Sequence, residues 1–158
     1  MGGITEKMKL SIIICAYNEE SGIRTLLQNL SGQKLPPEIE DYEIVVVASG
    51  CTDRTVPIVK EFMATNSKVK LIEETERRGK AAAMNRALEV ASGELMVFVP
   101  ADVLPVENGV YHLLSPFRNP EVSVVSGRPM QHPRSRHGGF LGNLANMTYR
   151  VWGKLMKT

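Results

Sequence analysis

The chain has 158 residues, 43% hydrophobic and 23% charged, which is enough for one domain with a real core. No run of 18 apolar residues occurs, so no segment reads as a membrane span, and Met1–Lys9 lacks the apolar centre of a secretion signal. The net charge of +2 gives no expectation of a nucleic-acid partner.

Residues 1–8 read as a disordered or tag-like start. Leu10–Ala16 is a short, isoleucine-rich apolar run, the pattern of a fully buried strand. Ile23, Leu26, Leu27 and Leu30 then recur at helical spacing, and Gly32 closes that helix. Pro36, Pro37 and four acids between Glu38 and Glu43 mark an exposed connection. Tyr42–Val47 reads as a second buried strand. The segment Ser49-Gly50-Cys51-Thr52-Asp53 is a turn ending in helix-cap candidates, and a helix follows to about Thr65 with Pro57 near its first turn. Val69–Glu73 is a third strand. Ala81, Met84, Ala87, Leu88 and Ala91 give a helical face from Lys80 onward, ended by Ser92-Gly93. Glu94–Val99 is a fourth strand, also buried in appearance. Pro105 opens a helix on Val106, Val110, Leu113, Leu114 and Phe117. Val122–Gly127 reads as a fifth strand. From about Gly139, Phe140, Leu144, Val151 and Leu155 fall on one face of a last helix, with Met147, Trp152 and Met156 outside that stripe.

Strand and helix alternate about five times, which predicts an α/β domain over residues 9–130: a mostly parallel, Rossmann-like sheet with helices on both faces. Residues 131–158 form a separate basic loop and amphipathic helix. Residues 122–158 hold no Asp or Glu but six bases, Arg128, Arg134, Arg136, Arg150, Lys154 and Lys157. Such a segment suits phosphate groups or an anionic membrane surface, and equally a solvated face. Its apolar stripe needs a partner, either this domain, a second copy or sequence beyond the chain. Cys15 and Cys51 have neither metal spacing nor a disulfide framework and read as reduced thiols of a cytoplasmic protein.

Four loops leave the carboxyl ends of strands, where ligands bind in open α/β sheets. The first is Ala16-Tyr17-Asn18-Glu19-Glu20: a ring to stack on a base beside a carboxylate for a ribose hydroxyl. Asn18 and Glu20 there suit the start of the following helix. The second is Ala48-Ser49-Gly50-Cys51-Thr52-Asp53. The third, Glu76-Arg77-Arg78-Gly79-Lys80, brings cations and free backbone N–H groups to a helix start, which is an anion site in physical terms. The fourth is Pro100-Ala101-Asp102, an acid at a strand end able to hold a divalent cation and, through it, a diphosphate.

Tyr-Asn-Glu after the first strand, Gly-Cys-Thr-Asp-Arg-Thr after the second, Arg-Arg-Gly-Lys-Ala-Ala-Ala-Met-Asn-Arg-Ala-Leu, and Ala-Ser-Gly-Glu-Leu-Met-Val-Phe-Val-Pro-Ala-Asp together resemble a family 2 glycosyltransferase with the GT-A fold. The resemblance covers roughly residues 9–130, in order and in register. It implies transfer of a sugar from a nucleotide-diphosphate donor to an acceptor, with this chain holding mainly the donor half. It implies that Ala16, Tyr17, Glu19, Ser49 and Ala101 contact the nucleotide. Arg78 and Lys80 would flank the diphosphate, and Asn85 would brace their loop. Asp102 would bind Mg²⁺ or Mn²⁺, which stabilises the leaving diphosphate. It also implies a catalytic base and acceptor residues well beyond Asp102, and membrane segments in a longer protein at the cytoplasmic face.

The departures from the pattern are specific. Pro100-Ala101-Asp102 lacks the first acid of Asp-x-Asp, and Ala48-Ser49-Gly50-Cys51 replaces Asp-Asp-Gly-Ser. Two nucleoside-facing carboxylates are gone, which favours the alternative of a non-catalytic nucleotide-sugar-binding domain. Asp53 suits a helix cap as well as a binding role. Glu107 and Glu121 sit at a helix start and before a strand, so neither reads as the base, which is expected outside this chain. His132 and His137 lie in the Pro- and Arg-rich loop. A nucleotidylyltransferase or a dinucleotide oxidoreductase would need a Gly-rich loop after the first strand, and Cys15-Ala16-Tyr17-Asn18 is not one.

Overall fold

The computed structural model describes residues 7–128. The chain divides into two units, Met1–Val125 and Ser126–Thr158, and every element below belongs to the first. The order is β1 (Met8–Ala16), α1 (Ile23–Ser31), β2 (Ile39–Ser49), α2 (Thr55–Met63), β3 (Val69–Glu74), α3 (Lys80–Val90), β4 (Leu95–Pro100) and α4 (Gly109–Leu114), followed by a 3₁₀ turn at Ser115–Arg118.

The four strands form one sheet in the order β3-β2-β1-β4, and every pairing is parallel. β1 is central, and its uninterrupted apolar run follows from burial on both faces. On one face Leu10, Ile12 and Ile14 join Ile44, Val46, Val97 and Val99 under α1, α2 and α4. On the other, Ile13, Val45 and Val47 pack against Ala83 and Ala87 of α3. The expected helices on both faces are therefore present. From β1 the chain winds outward through β2 to β3, then crosses back to place β4 on the far side of β1. The strand order reverses between β1 and β4, and the crevice outside their carboxyl ends is the predicted ligand site of such a sheet.

Four local expectations are corrected. Val122–Gly127 forms no strand: it has no ladder partner among the described residues, and Val124 is 85% exposed. Its Val-rich pattern met the propensity of a strand, but no described edge receives it. The helix expected from Pro105 begins only at Gly109, because Asn108 takes a left-handed conformation and leaves Val106 in solvent. β4 is not fully buried. Among the described residues it is an edge strand, with Val97 and Val99 inside but Met96 and Phe98 39% and 43% exposed. On α3 the buried positions are Ala83 and Ala87, whereas Leu88 faces solvent. The expected last helix, with His132 and His137 before it, lies outside the described residues.

A polar pin holds the end of the sheet opposite the crevice. Glu43 on β2 is buried; its Oε1 accepts from the Ser11 hydroxyl at 2.6 Å and from the Ser92 amide at 2.7 Å. Its Oε2 lies 2.6 Å from Lys70 Nζ as an ion pair. The Gly93 amide donates to Ser11 Oγ, so the α3–β4 connection is tied to β1 and β2.

Candidate functional site

β1 ends at Ala16, and the next residues are fixed by the loop after β2. The Thr52 amide donates to Asn18 Oδ1 at 2.8 Å, and Asn18 Nδ2 donates to Thr52 Oγ1 at 3.2 Å. The Glu19 amide donates to Thr55 Oγ1, and the Glu20 amide to Asp53 Oδ2. Glu20 accepts from the Arg54 amide, so Asn18 and Glu20 serve the loop before α2 rather than the start of α1. Asp53 accepts from the Thr55 amide and hydroxyl. Against the cost of burial, these bonds hold its carboxyl below the usual range. Asp53 is thus committed to capping.

The loop after β3 is held in a similar way. Ser49 Oγ donates to the Glu76 carbonyl at 3.3 Å and accepts from the Arg78 amide at 3.4 Å. Gly50 has φ +64, and a Cβ there would meet the Arg77 nitrogen at 2.6 Å. The two loops approach so closely that only glycine fits. Gly79, at φ +86, then turns the chain into α3, and no side chain caps that helix. Its first N–H groups point to the crevice end of the sheet.

A cavity of about 490 Å³ opens where the four loops converge. Of the residues expected to bind nucleotide and metal, Ala16, Tyr17, Glu19, Ser49, Lys80, Ala101 and Asp102 all line it. Arg78 does not; Arg77 lines it instead, with its guanidinium 3.8 Å from the centre of the Tyr17 ring. Asn85 is exposed on α3 and makes no side-chain hydrogen bond among the described residues. Ile13, Cys15, Ala83, Met84 and Phe98 add an apolar wall. Alternation along β1 put Ile13 and Cys15 on one face, but nothing in the sequence separated Arg77 from Arg78.

The electrostatics of the cavity are those of a cation site beside an anion site. Burial, then the charges of Asp102 and Asp53, push the Glu19 carboxyl above its ordinary range. Burial likewise raises the Cys15 thiol, opposed by Lys80 and reinforced by Glu74. The Asp102 carboxylate accepts no hydrogen bond and forms no ion pair among the described residues, and the same holds for the carboxylate of Glu19. No group of three or more His, Cys, Asp or Glu able to hold a metal occurs among the described residues. One or two carboxylates with spare lone pairs fit a hard divalent cation whose other ligands are phosphate oxygens and water.

The family model described as "Glycosyl transferase family 2" matches residues 11–156. The poly-beta-1,6-N-acetyl-D-glucosamine synthase of Staphylococcus epidermidis is 26% identical over 141 residues, covering 89% of this chain and 32% of that protein. The mannosyltransferase PcManGT from Pyrobaculum calidifontis, solved with GDP-Man and Mn²⁺, superposes with a TM-score of 0.60 at 37% identity, over 68% of this chain and 31% of that one. TarS of S. aureus with UDP-GlcNAc gives a TM-score of 0.53 at 35% identity, over 60% and 27%. The chain spans about a third of the length of the curated relatives it matches.

Proposed function

The chain belongs to glycosyl transferase family 2 and has the GT-A α/β fold; on that premise we propose that it binds a nucleotide-diphosphate sugar and presents it for transfer of the sugar to an acceptor. The observation that carries this reading is the convergence of Tyr17, Glu19, Lys80 and Asp102 on one cavity at the point where the strand order reverses. Two of the similar structures were solved with nucleotide sugars, one of them with Mn²⁺.

Each residue has a distinct task in the proposed site. Tyr17 offers a ring to the base. Glu19, fixed through its amide to Thr55, offers a carboxylate to a ribose hydroxyl or to the cation. Lys80 and the first N–H groups of α3 meet the diphosphate. Asp102, in the turn just after β4, would hold Mg²⁺ or Mn²⁺. A divalent cation held there would supply charge neutralisation to the diphosphate, making it a better leaving group when the acceptor attacks the anomeric carbon. No described residue takes the role of base, and the acceptor-binding residues are proposed to lie outside residues 7–128.

Calorimetric titration of UDP and GDP, with Mn²⁺ and with chelator, tests the reading. Mn²⁺ is expected to tighten binding, and Asp102→Ala to abolish that gain, a loss on the order of 2–4 kcal/mol. Equal affinities with metal and with chelator would overturn the assignment of Asp102. Pro100 and Ser49, standing where the family pattern has acids, favour a second reading, binding without turnover. Release of nucleotide diphosphate from a nucleotide sugar in the presence of Mn²⁺ separates the two.

A further inference from the structure

We propose that Arg77 is a binding residue of the donor site, its guanidinium and the Tyr17 ring forming the two jaws of a clamp into which the nucleobase inserts. This rests on the donor-site reading above and adds to it a residue that neither the motif pattern nor the diphosphate requires. The guanidinium carbon lies 3.8 Å from the ring centre, over the face of the ring and in cation–π contact. Both groups line the cavity that Asp102 and Lys80 share. Among the described residues no carboxylate pairs with Arg77.

The mounting of Arg77 separates a jaw from a loose surface charge. Its backbone is wedged against Gly50, where a Cβ would meet the Arg77 nitrogen at 2.6 Å. The base of the side chain is therefore fixed relative to Gly50 at the end of β2, while the guanidinium stands several single bonds away from it. Lifting the guanidinium by one ring thickness, roughly 3.5 Å, admits a flat base between the planes. Tyr17 follows β1 and Arg77 lies in the loop after β3, so the jaws stand on loops from two different strands of one sheet. A guanidinium is planar and weakly hydrated, and it stacks well on π-faces; an ammonium does not. Gly79 turns the chain between Arg77 and Lys80, leaving Lys80 at the start of α3 for the phosphates.

The test measures dissociation constants of UDP, GDP and inorganic pyrophosphate, all with Mn²⁺, for the 158-residue chain and its variants. Arg77→Ala is expected to weaken UDP and GDP about tenfold and to leave pyrophosphate within about twofold. Arg77→Lys is expected to bind no better than Arg77→Ala, because charge without a plane does not stack. Tyr17→Ala should match these losses. The double variant should lose less than the product of the two single losses, since the jaws act as one unit. A parallel loss of pyrophosphate would make Arg77 a phosphate ligand and overturn the clamp. Full rescue by lysine, or tighter nucleotide binding in Arg77→Ala, would overturn it too. A wild-type chain that binds pyrophosphate but neither nucleotide would overturn the donor-site reading itself, and the clamp with it.

Discussion

Glu19 and Glu43 are carboxylates with opposite relations to the fold. Burial and the charges of Asp102 and Asp53 raise the Glu19 carboxyl. A carboxyl raised in the folded state favours folding while protonated and opposes it once the pH passes its folded value. Glu19→Gln removes the charge and keeps the amide bond to Thr55 Oγ1. It is expected to raise the thermal midpoint at neutral pH, with the gain vanishing in acid, while weakening metal-assisted nucleotide binding. Equal melts at neutral pH would show that the repulsion is negligible. Glu43 runs the other way. Burial alone would raise it, but Lys70, Ser11 and Ser92 hold its carboxyl at about 2. Its contribution is complete above the ordinary carboxyl value of 4.5 and is lost as the pH falls toward about 2, a change on the order of 3 kcal/mol. Glu43→Gln should therefore be less stable at neutral pH and should flatten the acid limb. Urea unfolding at stepped pH reads this directly, and an unchanged acid limb would remove Glu43 from the account.

β4 shows how position in the sheet overrides pattern. Leu95–Pro100 is uniformly apolar and predicts burial on both faces, yet α3 lies over β1 and β2 and, among the described residues, leaves one face of β4 open. Val97 and Val99 point into the core under α1 and α4, with Leu95 packed against its margin. Two neighbouring lysine substitutions are expected to differ sharply. Val97→Lys buries an unpaired charge and should cost several kcal/mol, about 3–5, or unfold the domain. Met96→Lys places its ammonium in water on an edge strand, which should leave stability within about 1 kcal/mol and reduce self-association. Urea unfolding and light scattering decide it; equal damage from both would mean that the open face is covered in solution.

For the whole molecule, charge is segregated along the chain. All 17 acids lie in residues 1–121, whereas residues 122–158 carry six bases and none. Surfaces of anionic lipid attract such a segment by about 1 kcal/mol per base at low salt. The full chain is expected to co-sediment with phosphatidylserine-containing vesicles at low salt and to release them at high salt, whereas a chain ending at Arg128 should not bind. A full chain that ignores these vesicles would leave the bases as a solvated face. Sedimentation of the same samples without lipid tests pairing between copies of the chain.

The sequence by itself determined the four strands, the three longer helices and the loops that carry the site, because burial on both faces of β1 and β2 leaves a continuous apolar signature. It also placed Asp102, Lys80 and Tyr17, because each sits where a strand or helix boundary is marked by a change of composition. Tertiary structure alone decided what lay between elements. Asp53, Asn18 and Glu20 could each have faced a ligand; cross-loop hydrogen bonds committed them to joining β1 to α2. Arg77 and Arg78 were equivalent as letters, and only the packed loops set Arg77 against Gly50 and over the Tyr17 ring. The edge position of β4 and the unpaired course of Val122–Gly127 depended on which neighbours the sheet supplied. Local sequence carries no record of those neighbours, because strand pairing joins residues far apart in the chain.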